Sequence, residues 1–447
     1  MKEPEEILDE DHEQLVERVA AIDVAKASGM VCTRIPDEAR PGRHTTRVWE
    51  VSATTNAVIE LADHLACQGI QRVVVESTSD YWRVFFYLLE ARGVPVWLVN
   101  AHQVKQVPGR PKTDKLDAVW LAKLAERGML RPSFVPPAAI RQLRDYTRLS
   151  VDLTADRARV RQRMEKLLED ALIKLSTVAT DIFGVSGRAM IGALIGGERN
   201  PHRLAALAKG RMRVKHAALV EALTGRFDDH HAYLARMLLD QHDALTAQLA
   251  QLDARITDAL AVLPDPDPVA AGTDDPPGGH TSGGALPPVA RLDEIPGIAE
   301  RAAQIIIAEI GLDMTRFPTP GHLVSWAKLC PRTLQSGAKN HKGNTGKGNP
   351  YLKGVLGEIA AAAAKTNTFL GERYRRLVKR CGKRKALVAL ARSILVIIWH
   401  LLADPTTRYH DLGADYYTTR INKDRKTRSL IHQLEALGHT VTLHPAA

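Results

Sequence analysis

The chain has 447 residues, 45% of them hydrophobic and 25% charged, with a formal net charge of +10. That length holds two to four domains of ordinary size, and the composition is that of a soluble globular protein. Four scattered cysteines (Cys32, Cys67, Cys330, Cys381) exclude a disulfide framework and a Cys-x-x-Cys zinc site, and point to a reducing cytosol. The acidic start lacks the apolar core of a signal peptide. The most apolar run, 386–402, contains Arg392 and His400 and is shorter than the ~20 residues that span a bilayer, so a buried helix and no membrane are expected. Residues 1–18 carry eight acids against Lys2 and Arg18, which leaves +16 on the remainder. A surplus of that size suits a polyanionic partner, most simply nucleic acid.

After that acidic segment, 19–24 reads as an apolar strand with Asp23 inside it, followed by a turn at Ser28-Gly29 and a second strand from Met30. A third strand is expected over 45–52, a helix over 56–68, and a strand of three valines over 72–76 that ends in Glu76. A helix over 81–92 and a strand over 94–99 complete an α/β unit with a mixed sheet, spanning 19–135. Carboxylates avoid apolar strands unless they are paired or bind metal, so Asp23 and Glu76 stand out. Next comes Arg110-Pro-Lys-Thr-Asp-Lys-Leu-Asp117, which opens a helix. There Asp114 and Asp117 share one face at a spacing of three, flanked by Lys112 and Lys115. Two like charges held close repel unless a cation lies between them. Open sheets carry their sites beyond the carboxyl ends of their strands, so Asp23, Glu76, Asp114 and Asp117 are expected to converge there. Four acids around divalent cations suit two-metal phosphodiester chemistry, and ligation by oxygen alone favours Mg²⁺ or Mn²⁺.

Residues 136–263 turn helical. Tyr146, Leu153, Val160 and Leu167 recur every seven residues, and Leu245, Leu249, Leu252, Ile256, Ala259 and Leu263 alternate steps of four and three. Both are coiled-coil-like seams, compatible with a hairpin inside the chain or a coiled coil between subunits. The helical insert between them, 181–226, has a basic run (Lys209, Arg211, Arg213, Lys215) that either touches nucleic acid or is a solvated face. Residues 264–290, rich in Pro, Gly, Asp and Ser, read as a flexible linker. A mainly α domain over 291–410 follows. Its Pro296-Gly297 turn resembles a helix-hairpin-helix element, whose amides approach a DNA phosphate. The glycine-rich stretch 336–349, with Lys339, Lys342 and Lys347, is expected to be a mobile cationic loop for a phosphate backbone. An alanine-rich helix over 351–365 leads to a cluster of Arg373, Arg375, Arg376, Lys379, Arg380, Lys383, Arg384 and Lys385, dense enough to mark a nucleic-acid surface. The basic tail, 411–447, adds Tyr416 and Tyr417; docking or fraying is favoured over stacking on bases.

Three motifs, Ala21-Ile-Asp-Val-Ala-Lys26, Val75-Glu-Ser-Thr-Ser-Asp-Tyr-Trp82 and Lys112-Thr-Asp-Lys-Leu-Asp-Ala118, resemble the acidic motifs of the DEDD transposases of bacterial insertion sequences. This is the IS-one-ten group, which includes the pilin-gene invertases. The resemblance implies a RuvC-like, RNase H-type N-terminal domain in which Asp23, Glu76, Asp114 and Asp117 are the catalytic, metal-holding acids. Ser77-Thr78-Ser79 stands where the family more often has Ala-Thr-Gly, which affects only the local turn. Leu329–Asn349 resembles the family's C-terminal domain, where a serine ahead of the Gly/Lys-rich loop is the nucleophile; its match is Ser336. Arg332 and the loop lysines would then stabilise charge developing on phosphorus. The resemblance further implies a phosphoserine link to DNA, a dimer of dimers, a structured bridge RNA pairing with donor and target DNA, and a bacterial, nucleoid-associated setting. The alternative is a metal-dependent RuvC-like nuclease or junction resolvase with Ser336 incidental, and behind it a binding protein that no longer cuts. An actin-like ATPase is disfavoured, because only Gly29 follows the first strand.

Overall fold

A computed structural model of the chain describes residues 16–40, 42–76, 79–100, 113–263, 286–336, 339–420 and 423–443, with the backbone alone described at 332–336, 339–342, 423 and 425. The chain divides into two units, Met1–Val135 and Pro136–Ala447. The acidic start up to residue 15, Lys112, and most of the expected linker lie outside the described residues.

The first unit is built on β1 (Val19–Val24), β2 (Ser28–Pro36), β3 (His44–Ser52), β4 (Arg72–Glu76) and β5 (Val96–Val99). They form one sheet in the order β3-β2-β1-β4-β5, with β1 antiparallel to β2 and parallel to β4. This mixed order is that of an RNase H-like fold. Helix α1 (Thr55–Cys67) links β3 to β4, and α2 (Trp82–Ala91) links β4 to β5. Alternation along the strands sorts the side chains. Ala20, Ile22, Val24, Val73 and Val75 pack with Val58, Leu65, Phe85 and Leu89 on one face. Val19, Ala21 and Val74 pack on the other face with Ala118, Leu121 and Ala122 of α3 (Asp114–Glu126). Because both faces are covered, β1 and β4 are apolar almost throughout.

The β1–β2 connection lies earlier than the expected Ser28-Gly29 turn. Ala25 N–H donates to the Ser28 carbonyl at 2.8 Å, and β2 is already paired at Ser28 and Gly29. Gly29 is required by packing instead: a Cβ there would lie 2.7 Å from Phe85 Cζ and 2.9 Å from Ile22 Cγ2.

In the second unit, α4 (Ala138–Asp170) runs out and α8 (Asp229–Ala261) returns. Their antiparallel course is fixed by His231 beside Asp170 at one end, and at the other by Arg301, which reaches both Ser150 and Asp253. The helical seams therefore meet within one chain. Along α4 the buried line is Leu143, Thr147, Ser150, Val160, Met164 and Leu168; of the expected seam only Val160 is buried, with Tyr146, Leu153 and Leu167 half-buried. The line shifts because α4 is packed on two sides, by α8 and by α9 (Glu300–Ile310). Between α4 and α8 sits the insert, with α5 (Val185–Ile195), α6 (Pro201–Ala206) and α7 (His216–Ala222) around a core of Ile182, Met190, Ile191, Leu204, Leu219 and Phe227.

Arg148 donates to both carboxylate oxygens of Glu309 on α9 at 2.7 and 2.8 Å, and Arg144 donates to the Ala308 and Glu309 carbonyls. Glu309 is fully buried. The expected helix-hairpin-helix turn has Gly297 at φ +92°, where a Cβ would meet Ile359 O at 2.7 Å, so that glycine seats the turn on α11 (Pro350–Ala363). Helix α10 (Pro320–Trp326) precedes a hairpin of β6 (Pro331–Ser336) and β7 (Lys339–Thr345). After α11 come α12 (Phe369–Cys381) and α13 (Lys383–Ala403). Helix α13 is long and apolar enough to cross a membrane, yet Ala386, Leu390, Ile394, Leu395, Ile398 and Leu402 are buried in this unit. Its carboxyl end is held by the buried Arg291, which donates to the Leu401 and Asp404 carbonyls.

Candidate active site

Backbone register brings Asp23 and Glu76 together. Strands β1 and β4 pair in parallel up to Ile22 opposite Val75, and the next residues on these neighbouring strands are Asp23 and Glu76. Both fall on the face that α3 covers, one alternation step beyond Ala21 and Val74. Glu76 is only 4% exposed, while Asp23 is half-buried.

Helix α3 runs antiparallel to β1. Its last residue accepts from Val16 N–H at 3.1 Å, and the Glu126 carboxylate takes a 2.7 Å bond from Arg34, which lies opposite Val19 at the start of β1. The first turn of α3 therefore points toward the carboxyl ends of β1 and β4. Thr113 caps that turn, with its side chain accepting from Leu116 N–H, and Asp114 and Asp117 both lie in it. Helix starts favour negative charge, so this first turn is a natural place for two acids. The four acids thus share one face and one end of the sheet. A donor set of four carboxylates fits a hard divalent cation.

Strand alternation supplies one acid that the sequence pattern does not single out. Glu50 lies opposite Met30, which lies opposite Asp23, so it sits on the same face two strands away. Ser28 Oγ donates to Glu50 Oε1 at 2.5 Å.

Ser336 ends β6, with its backbone opposite Lys339 on β7. The expected mobile loop is therefore mostly paired strand, because residues 333–336 find backbone partners in 339–342. The side chains of Arg332, Ser336, Lys339 and Lys342 lie outside the described residues. Lys347 is exposed just beyond the hairpin, and Asn349 caps α11 while donating to Glu309. Of the basic cluster on α12, Lys379 and Arg380 are exposed in the last turn, Arg375 is paired with Glu372 at 2.8 Å, and Arg376 stacks 3.9 Å over the ring of Tyr417. Arg373 donates to the Tyr417 hydroxyl, so the described tail up to Arg420 is docked on this helix.

Comparison with known proteins finds matches in each of the two units. The IS110 DEDD transposase family model fits residues 20–173, and that of the transposase IS116/IS110/IS902 family fits residues 289–375. The chain belongs to the IS110 family of transposases. A curated relative, the insertion element IS110 uncharacterized 43.6 kDa protein of Streptomyces coelicolor, is 34% identical over 118 residues. That stretch is 26% of this chain and 29% of the relative, so the chain spans under a third of the length of the curated relative it matches. Among solved structures, T. thermophilus RuvC in complex with Holliday junction substrate aligns with 26% of this chain and 99% of its own at 16% identity and a TM-score of 0.20.

Elsewhere in this IS110-family chain, Asp170, His230 and His231 bring three ligand-type atoms within 4.8 Å of one another. His231 Nδ1 accepts from Asp228 N–H at 3.1 Å, which places the ring proton on Nε2, 3.2 Å from Asp170 Oδ2. That ring caps α8 and does not offer a metal a free lone pair.

Proposed function

We propose that this protein is the DNA transposase of an insertion sequence, cutting and rejoining DNA through a phosphoserine intermediate on Ser336. The observation that supports it most is the meeting of Asp23 and Glu76 on adjacent parallel strands beneath the helix start that bears Asp114 and Asp117. Those four carboxylates would hold Mg²⁺ or Mn²⁺, which supplies charge neutralisation at the phosphate. The Ser336 hydroxyl gives up its proton and forms the Oγ–P bond as one backbone P–O bond breaks, and the departing oxygen takes a proton. Rejoining reverses these steps with the new strand's hydroxyl. Arg332, Lys339, Lys342 and Lys347 would stabilise the phosphate, and Lys379 and Arg380 would follow the backbone beyond it, with Arg375 and Arg376 beside them. Donor and target DNA, a structured bridge RNA and a dimer of dimers complete this reading, in a bacterial cytoplasm on the nucleoid.

Incubating the full-length protein with labelled donor DNA, its co-purified RNA and Mg²⁺ tests this. A protease-sensitive DNA–protein adduct that disappears in Ser336→Ala is expected. Cleavage without an adduct, undiminished in Ser336→Ala, would instead make the protein a metal-dependent nuclease or junction resolvase.

A further inference from the structure

The insert between α4 and α8 matches neither family model, since those end at residue 173 and resume at 289. Nevertheless it folds around its own buried core, so it is a built module. Its outer edge, residues 199–216, contains Arg199, Arg203, Lys209, Arg211, Arg213 and Lys215 with His202 and His216, and not one acid.

That edge is pinned at several points, by main chain at Lys209 and by side chains at Arg213 and Lys215. Lys209 N–H donates to the buried Ser186 Oγ at 2.9 Å, Arg213 Nε reaches the Ala208 carbonyl, and Lys215 Nζ donates to the Val178 carbonyl at 2.9 Å. Arg199 lies over the Phe227 ring, and Arg203 lies 3.5 Å from Glu198. Lys209 and Arg211 remain exposed, and among the described residues neither is held in an ion pair. A preordered basic turn loses little entropy on meeting a polyanion. No Trp, Tyr or Phe lies within 199–216 to stack an unpaired base, which favours the regular phosphate array of a duplex.

Its position gives the turn a purpose. The α9 module docks on α4 at Ser150 and Thr154 through Arg301, while the insert packs on Met164, Leu168 and Ala171. From Ser150 to Asp170 a helix rises about 30 Å, or roughly nine base pairs of duplex at ~3.4 Å each.

We propose that the basic turn at 209–215 is a second, sequence-independent duplex-DNA contact, held by α4 and α8 about one helical turn from the C-terminal module. It rests on the reading that this chain acts on DNA, but it needs no cutting. The test therefore measures binding in EDTA, with full-length protein, a labelled random-sequence duplex, and a hairpin RNA of equal charge. Lys209→Ala/Arg211→Ala should lower the slope of log affinity against log salt on the duplex by about 1.8, at ~0.9 for each phosphate no longer neutralised, and by less on the RNA. The thermal midpoint should stay unchanged, since both side chains are exposed. A charge-matched control, Arg40→Ala/Arg47→Ala, should leave the slope in place. An unchanged slope in the insert variant, an equal drop in the control, or a loss as large on the RNA would each overturn the proposal.

Discussion

The candidate residues of the two units are held by different kinds of bond. Asp23 and Glu76 are placed by main-chain pairing in the middle of a five-stranded sheet, where a slip by one residue would turn both carboxylates to the opposite face. Ser336 sits on a two-stranded hairpin, whose exit is fixed by side chains: Asn349 caps α11 and donates to Glu309, which Arg144 and Arg148 clamp to α4. Placement by backbone tolerates substitutions around it. Placement through one buried carboxylate does not, and this difference can be measured.

The largest effect belongs to the acids themselves. Asp114→Asn and Asp117→Asn should each lower DNA cleavage by on the order of 10³-fold or more, the size expected for losing preorganised charge stabilisation. Their thermal midpoints should remain those of the parent, because the sheet does not depend on them. Glu309→Ala should do the reverse of this in the second unit. It strips a carboxylate from two arginines in a site where Glu309 is 0% exposed, and breaking such a buried pair costs about 3 kcal/mol. Denaturant titration checks that figure, and the acid site's Mn²⁺ binding should be unaffected.

Much of the first unit is legible in the sequence because its signals are local. Strand periodicity, a valine run ending in Glu76, and a threonine–aspartate helix start at 113–117 each follow from short-range rules. Gly29 reads as a turn residue in the sequence, but the demand on it comes from Phe85, 56 positions away, which no local pattern records. The α4 seam is misplaced for the same reason: Thr147 and Ser150 are buried by α9, and Ser150 is reached by Arg301, a residue 151 positions on. The hairpin reads as a loop because its glycines and lysines carry little strand propensity, and pairing between its two arms overrides that propensity. Glu50 does not stand out because register, not spacing, sets it on the face of Asp23.

Two smaller changes sharpen the contrast. Gly29→Val forces a side chain against Phe85 and Ile22 and should cost about 1–3 kcal/mol in the first unit, read as a lower denaturation midpoint. In the second unit, burial above all, with Arg157 and Arg188 nearby, holds His242 below its ordinary 6.5, while Asp243 at 3.5 Å pulls the other way. The fold therefore favours the neutral ring. Its contribution is complete above pH 6.5 and is lost as pH falls through the lowered folded value. His242→Phe, which keeps an aromatic ring against Phe183, should reduce the loss of stability between about pH 7 and about pH 5 by a modest amount, measured by denaturant midpoints at both.

If Asp23, Glu76, Asp114 and Asp117 act as one cation site, Mn²⁺ binding to the full-length protein with donor DNA, followed by electron paramagnetic resonance, will depend on all four. Asp23→Asn, Glu76→Gln, Asp114→Asn and Asp117→Asn should each weaken the same binding event, and Ser336→Ala should leave it in place. Undiminished Mn²⁺ binding in either the Asp23 or the Asp114 variant would contradict a single cation site.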